Sequence, residues 1–99
     1  MKIPLNKLNK TFESRIRLGI MSVLMVNDRV DFNSLKETLE ITDGNLASHL
    51  KALEKAGMID VNKEFIGRKP RTSYLATSTG RLEFEKHLNA LENLINKSK

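Results

Sequence analysis

The sequence predicts a small, mainly α-helical domain with one β-hairpin, in the order helix, short strand, helix, helix, hairpin, helix. Three observations carry this reading. Apolar residues recur at helical spacing before Gly57 and again after Thr77. Between those points the apolar period drops to two. The two alternating runs are separated by Gly67-Arg68-Lys69-Pro70-Arg71, a turn-prone segment. With 39% apolar residues in 99, one modest core is available and a second is not.

Taken in order, residues 1–13 form an arm or short helix, because MKIPLNKLNK mixes basic and apolar residues without a firm period. Residues 14–27 are helical. Ile16, Ile20 and Val23 mark one stripe, and Leu18, Met21 and Met25 mark another on the opposite side. A helix apolar nearly all round needs cover on both sides, and in so short a chain the second cover is expected from another subunit. Residues 30–32 are extended. Asn33 then suits the N-cap of a helix over 34–40, with Leu35 and Leu39 inward.

Thr42 suits the N-cap of the next helix, with Asp43 in its first turn, where a negative charge favours the helix dipole. Leu46, Leu50 and Leu53 form its buried stripe. Gly57 fits the left-handed C′ position, with Met58 able to reach back to Leu53 as in a Schellman motif. Only Ile41 and Thr42 separate these helices, so they form a tight helix-turn-helix pair. In the hairpin, Ile59, Val61 and Phe65 share one parity, interrupted by Lys63, and Thr72, Tyr74 and Ala76 continue it. Thr77 or Ser78 caps a last helix running to about residue 96. Its stripe Phe84, Leu88, Leu91 and Ile95 steps by four, three and four.

Composition closes several functional classes. The absence of cysteine excludes disulfides, Cys-ligated zinc and thiol redox sensing. His49 and His87 stand 38 positions apart with no metal-spaced companion, so no metal and no cofactor are expected. The longest uncharged apolar stretch, residues 18–26, is about half a bilayer crossing. It ends in Asn27-Asp28-Arg29 without a small-residue cleavage site, so a signal peptide and a membrane partner are not expected and the cytoplasm is. No nucleophile elbow, phosphate-binding glycine loop, metal triad or carboxylate pair is present, so no enzyme is expected.

The net charge of +5 is unevenly placed: +4 in residues 1–17, −3 in 18–61, +3 in 62–77 and +1 in 78–99. Cations gathered at the hairpin tip point to a polyanionic partner. The same cations could instead protect a sheet edge.

The stretch TDGNLASHLKALEKAGMIDVNKEFIGRKPRTSYLATSTGR resembles the winged helix-turn-helix of small MarR/ArsR-like transcriptional regulators. It is similar to a short single-domain group that reads TDGNLSxHLxxLExAGY and then GRxPRTxYxLTxxGR. The resemblance spans about residues 14–95. Ala47 stands where that group usually has Ser, which removes one polar contact near DNA; Ala76 stands where it usually has Leu, a matter of the core. The resemblance implies sequence-specific binding of double-stranded DNA by a homodimer, with repression by occlusion of a twofold-related operator. It implies a division into residues 14–77 as the DNA-binding domain and 78–99 as a dimerisation helix.

The residues themselves support a reader helix. Opposite Leu46, Leu50 and Leu53 lie Gly44, Ser48, Lys51 and Lys55, flanked by Asn45 and Ala52. Short hydrogen-bonding side chains let a helix approach base edges closely. The expected DNA-contacting set is Ser34, Gly44, Asn45, Ser48, His49, Lys51, Arg68, Lys69, Arg71 and Thr72. His49 has two readings, phosphate or base contact and the edge of the helix core. His87 is expected at the surface or an interface, and Tyr74 in the hairpin core rather than as a base-stacking platform. The expected dimer interface is Leu18, Met21, Met25, Phe84, Leu88, Leu91 and Ile95. Its alternative is a last helix folded back to complete the protomer's own core. A small-molecule effector is left open, since nothing polar marks a pocket between the first and last helices. The competing function is a winged helix used for protein contacts without DNA.

Overall fold

The computed structural model describes residues 4–97. Residues 1–3 of the expected arm and 98–99 of the expected dimerisation helix lie outside it. After two single 3₁₀ turns, Leu5–Lys7 and Lys10–Phe12, come helix α1 (Arg15–Met25), strand β1 (Val30–Asp31), α2 (Phe32–Leu39) and α3 (Asp43–Lys55). Strands β2 (Ile59–Ile66) and β3 (Lys69–Ala76) form the hairpin, and α4 (Ser78–Lys97) closes the chain. The sheet is antiparallel with order β1-β3-β2. Val30 pairs with Tyr74, and the hairpin runs in register from Ile59↔Ala76 to Ile66↔Lys69. This mainly helical chain with a hairpin and a three-stranded sheet is the expected winged helix.

Capping explains most helix boundaries. Ser14 Oγ accepts from the Arg17 N–H at 3.4 Å, and Thr42 Oγ1 from the Asn45 N–H at 3.2 Å. One boundary differs from expectation: α2 starts at Phe32, with Asp31 rather than Asn33 as N-cap. The extended backbone of β1 delivers Asp31 directly to the cap position, so strand and helix adjoin. At the other end of α2, Glu40 adopts φ 53°, the sole positive φ outside glycine among the described residues. Three residues, Glu40 to Thr42, therefore make the helix-turn-helix turn, one more than expected.

Residues 5–12 are no loose arm. Phe12 is fully buried and meets Phe84 edge-on at 5.1 Å between ring centroids. His87 is 2% exposed, 5.5 Å from the Phe12 ring, and its Nδ1 accepts the Asn9 N–H at 3.0 Å. This overturns the expectation of a surface His87. Burial holds its imidazole below the usual histidine range, opposed in part by the charge of Glu13.

The same packing corrects the expected dimer interface. Met21 and Phe84 are 0% and 1% exposed within one protomer, so neither has a surface to offer a partner. The cover that α1 lacked in sequence comes from its own chain, with Ile20, Met21 and Leu24 joining Leu35, Leu46, Leu50 and Leu53 in the core. Leu18 and Met25 are half-buried against that cluster. Helix α4 is divided: Phe84 and His87 are buried, while Leu88 and Ile95 are 41% and 59% exposed. The α4 stripe thus serves the protomer core at Phe84, while beyond it Leu91 is half-buried and Leu88 and Ile95 are exposed.

Residues 77–81 lock hairpin to helices. The Thr77 N–H donates to Met58 O at 3.0 Å, and its hydroxyl donates to Gly57 O at 2.7 Å while accepting the Gly80 N–H at 2.8 Å. Gly80 lets α4 lie against the Met58 carbonyl, where a Cβ would stand 1.9 Å from the oxygen. Arg81 donates to Met25 O at 3.0 Å and Leu24 O at 3.3 Å, a cation completing the carbonyl end of α1. Gly57, at φ 78°, ends α3 as a Schellman motif, with Met58 N–H to Leu53 O at 3.0 Å and Gly57 N–H to Glu54 O at 2.9 Å.

Candidate nucleic-acid interface

Helix α3 presents one open face. Leu46, Leu50 and Leu53 are buried, which fixes its rotation and turns Gly44, Asn45, Ser48 and Lys51 to solvent. Nothing lies within 4 Å of a Cβ built on Gly44, so the start of this face is open. Asp43 is the one acid in the first turn, and Lys36 pairs with it at 2.7 Å, offsetting its charge. The result is a neutral-to-basic helix start with short side chains, suited to approach a polyanion.

The wing stands beside this face. Ala47, Leu50, Lys51 and Glu54 of α3 share a cleft of about 500 Å³ with Val61, Lys63 and Tyr74 of the hairpin. Tyr74 is 9% exposed, in the core as expected. Burial, with the nearby Glu54 charge, raises its phenol above the usual range. Lys63 pairs across the hairpin with Thr72, so both occupy the hairpin face turned to α3. Lys63 was absent from the expected set. Its signal was present in its parity with Val61, which was read as an interruption of an apolar run rather than as a cation on the α3 side.

The expected loop over residues 67–71 is shorter. Ile66 pairs with Lys69, leaving Gly67 and Arg68 as a two-residue turn with φ 67° at Gly67. Lys69, Pro70 and Arg71 are strand residues. Proline is tolerated there because β1 reaches only Ser73 and Tyr74, leaving the outer edge of β3 open at Pro70. The three expected wing cations consequently separate. Arg68 is in the turn, and Lys69 is exposed beside it. Arg71 stands opposite Glu64 and near Asp31.

Three residues of the expected set point elsewhere. Ser34 donates its hydroxyl to the Asp31 carboxylate, and this bond is the main reason that carboxyl lies below its usual range. Arg71 adds its charge to the same effect, so Ser34 and Arg71 share a mixed-charge neighbourhood with Asp31, Glu64 and Arg29. That neighbourhood borders a cleft of about 710 Å³ between the end of α1, the start of α2 and the hairpin. His49 is half-buried, and its Nδ1 accepts from Arg17 Nε at 3.1 Å. Half-burial fits the reading of His49 at the edge of the helix core, and the Arg17 bond occupies its Nδ1.

No group of three His, Asp or Glu side chains could hold a metal ion among the described residues, and no helix among them is long and apolar enough to cross a membrane.

Comparison with known proteins agrees with this geometry. Residues 16–95 match the family model of a winged helix DNA-binding domain. An uncharacterized protein of Methanocaldococcus jannaschii is 38% identical over 79 residues, covering 80% of this chain and 86% of that one. The structure of a transcriptional regulator homologue from Pyrococcus horikoshii superposes with a TM-score of 0.80 at 31% identity, over 95% of this chain and 98% of that one. HlyU from Vibrio cholerae gives a TM-score of 0.61 at 25% identity, over 77% and 78% of the two chains.

Proposed function

Because this chain belongs to the winged helix DNA-binding domain family, we propose that it regulates transcription as a homodimer that grips double-stranded DNA and represses by occluding its operator. That it is a DNA-binding regulator follows from the family and from the regulator homologue it resembles over nearly its whole length. The observation that carries the finer reading is the open α3 face of Gly44, Asn45, Ser48 and Lys51 beside the Lys63–Thr72 face of the wing. With α3 in a major groove, Asn45 and Ser48 read base edges, and Lys51, Lys63 and the cations of the turn hold phosphates.

The dimer reading rests on α4. Its 20 residues extend about 30 Å at ~1.5 Å per residue, and the molecule measures 59 Å along its longest axis against 25 and 21 Å. Leu88, Leu91 and Ile95 continue the stripe past the buried His87. Each large apolar side chain buried contributes roughly 1.5–3 kcal/mol, so two copies of this stripe suffice for a stable pair. A twofold axis there sets two reader helices about 34 Å apart, one helical turn of DNA. Residues 14–77 then read the DNA and 78–99 join the subunits, with Phe12 of the preceding segment packed in the core.

The test is selection of bound duplexes from a random pool, followed by titration over a salt series. A palindromic motif and a log K falling by several units per decade of salt are expected. Asn45→Ala should cost ~1–3 kcal/mol on the selected duplex and less on random DNA. Failure to bind any duplex at low salt overturns the reading and leaves the wing as a protein-contact module.

A further inference from the structure

Away from α3, charges of both signs meet in the cleft of about 710 Å³ between the end of α1, the start of α2 and the hairpin. Alternation along the strands sets Glu64, Arg71 and Ser73 on the sheet face opposite Lys63 and Thr72. The Asp31↔Ser73 pair adds Asp31 to that face, and Arg29 enters from the segment before β1. Ser34 donates to Asp31, whereas Arg29, Glu64 and Arg71 have no ion pair or side-chain hydrogen bond among the described residues. Two guanidiniums and two carboxylates thus line one cleft without a salt bridge between them. Ser73 supplies a second, independent sign. It is 2% exposed, and its Oγ is the one buried side-chain polar atom without a hydrogen-bond partner among the described residues. Buried hydroxyls are normally satisfied, so one that borders a polar cleft points to a ligand as its partner.

The lining selects among small molecules. Its formal charges cancel: a simple anion meets two carboxylates, and a simple cation meets two guanidiniums, so each is opposed as well as attracted. A zwitterion satisfies both signs at once. Val23, Val26 and Val30 line the same cleft, and Val26 is 81% exposed, which leaves an aliphatic wall for an apolar side chain. We propose that this cleft binds a free α-amino acid with an aliphatic side chain. The Arg29 and Arg71 guanidiniums take its carboxylate, Glu64 and Asp31 take its ammonium, the valines cover its side chain, and Ser73 serves as the hydroxyl donor. The cleft falls within the roughly 300–1,000 Å³ of small-molecule sites. All of its lining comes from one protomer, so binding there requires neither DNA nor a second subunit.

The experiment titrates the full chain, without DNA, by isothermal calorimetry with three probes. These are leucine, N-acetylleucine, which lacks the ammonium, and leucinamide, which lacks the carboxylate. Leucine should saturate the site with a Kd below ~1 mM, and each blocked form should bind at least about tenfold more weakly. Glu64→Gln should weaken leucine about tenfold without weakening N-acetylleucine, and Arg29→Ala should do the same without weakening leucinamide. Both side chains are exposed, so these variants should melt at the parental temperature. Ser73→Ala should bind leucine about fivefold more weakly yet melt no lower than the parent, since its hydroxyl has no partner in the protomer to lose. A Ser73→Ala chain that melts well below the parent would assign that hydroxyl to folding and overturn the proposal. Absence of saturable leucine binding would overturn it too. Equal binding of leucine and N-acetylleucine would make the cleft an anion site and refute the zwitterion.

Discussion

Replacing Gly80 by Ala should destabilise the chain more than any other glycine-to-alanine change in a helix. The added Cβ would stand 1.9 Å from Met58 O and 2.8 Å from Met58 C, where ordinary contact begins at 3.4 Å. About 1.5 Å of separation must therefore be found, and the obstacle is backbone rather than a side chain that can turn away. Moving α4 off β2 by that amount breaks the Thr77 N–H bond to Met58 O and disturbs the hydroxyl that joins Gly57 O to the Gly80 N–H. Overpacking costs ~1–3 kcal/mol, and a lost cap with a lost backbone bond adds ~1–2. Alanine's helix propensity returns up to ~1. The net loss is ~1–5 kcal/mol, a fall in Tm of roughly 4–40 °C for a domain of this size. Urea and thermal unfolding at matched protein concentration should measure it, with Gly44→Ala as comparison. Gly44 has open space around its Cβ, and its variant should gain up to ~1 kcal/mol. A Gly80→Ala chain within 0.5 kcal/mol of the parent would refute the close-approach argument.

Two further outcomes follow from the buried and exposed parts of α4. Burial favours neutral His87 in the folded chain, whereas the unfolded chain takes up its proton near pH 6.5. This contribution is complete above pH 6.5 and is lost as pH falls from there toward the lower folded value. Urea midpoints at pH 7.5 and 5.5 should diverge more in the parent than in His87→Gln; equal divergence would remove His87 as the cause. Leu88→Asp with Leu91→Asp should give a folded monomer by light scattering with much weaker DNA binding, whereas Phe84→Asp should unfold the protomer. A persistent dimer in the first variant would show that α4 is not the main subunit contact.

What was legible in the sequence was mostly what a residue does for its own backbone. Thr42 satisfies its own helix start by accepting the Asn45 N–H, and Gly57 supplies a left-handed turn that follows from its own missing Cβ. The open face of α3 was legible for a related reason: Leu46, Leu50 and Leu53 fix the rotation of a contiguous helix, so the opposite side follows without knowledge of the rest of the fold. The last helix was harder, because its stripe Phe84, Leu88, Leu91 and Ile95 is uniform in sequence. Where it passes from core to surface is decided by Phe12 and Asn9, more than seventy residues away.

How the hairpin cations are distributed was not legible, for another physical reason. A block of cations in sequence becomes a site only after strand parity assigns each one a face and the partner strand assigns each one an opposite. Arg71 receives Glu64 as its opposite and Asp31 as a neighbour, while Lys63, outside the block, receives Thr72 and the side toward α3. Two-residue closure at Gly67-Arg68 sets both assignments at once; a loop one residue longer would have exchanged the faces of β3 and taken Arg71 to the α3 side. The electrostatic surface beside α3 is therefore set as much by the length of this turn as by the charges around it.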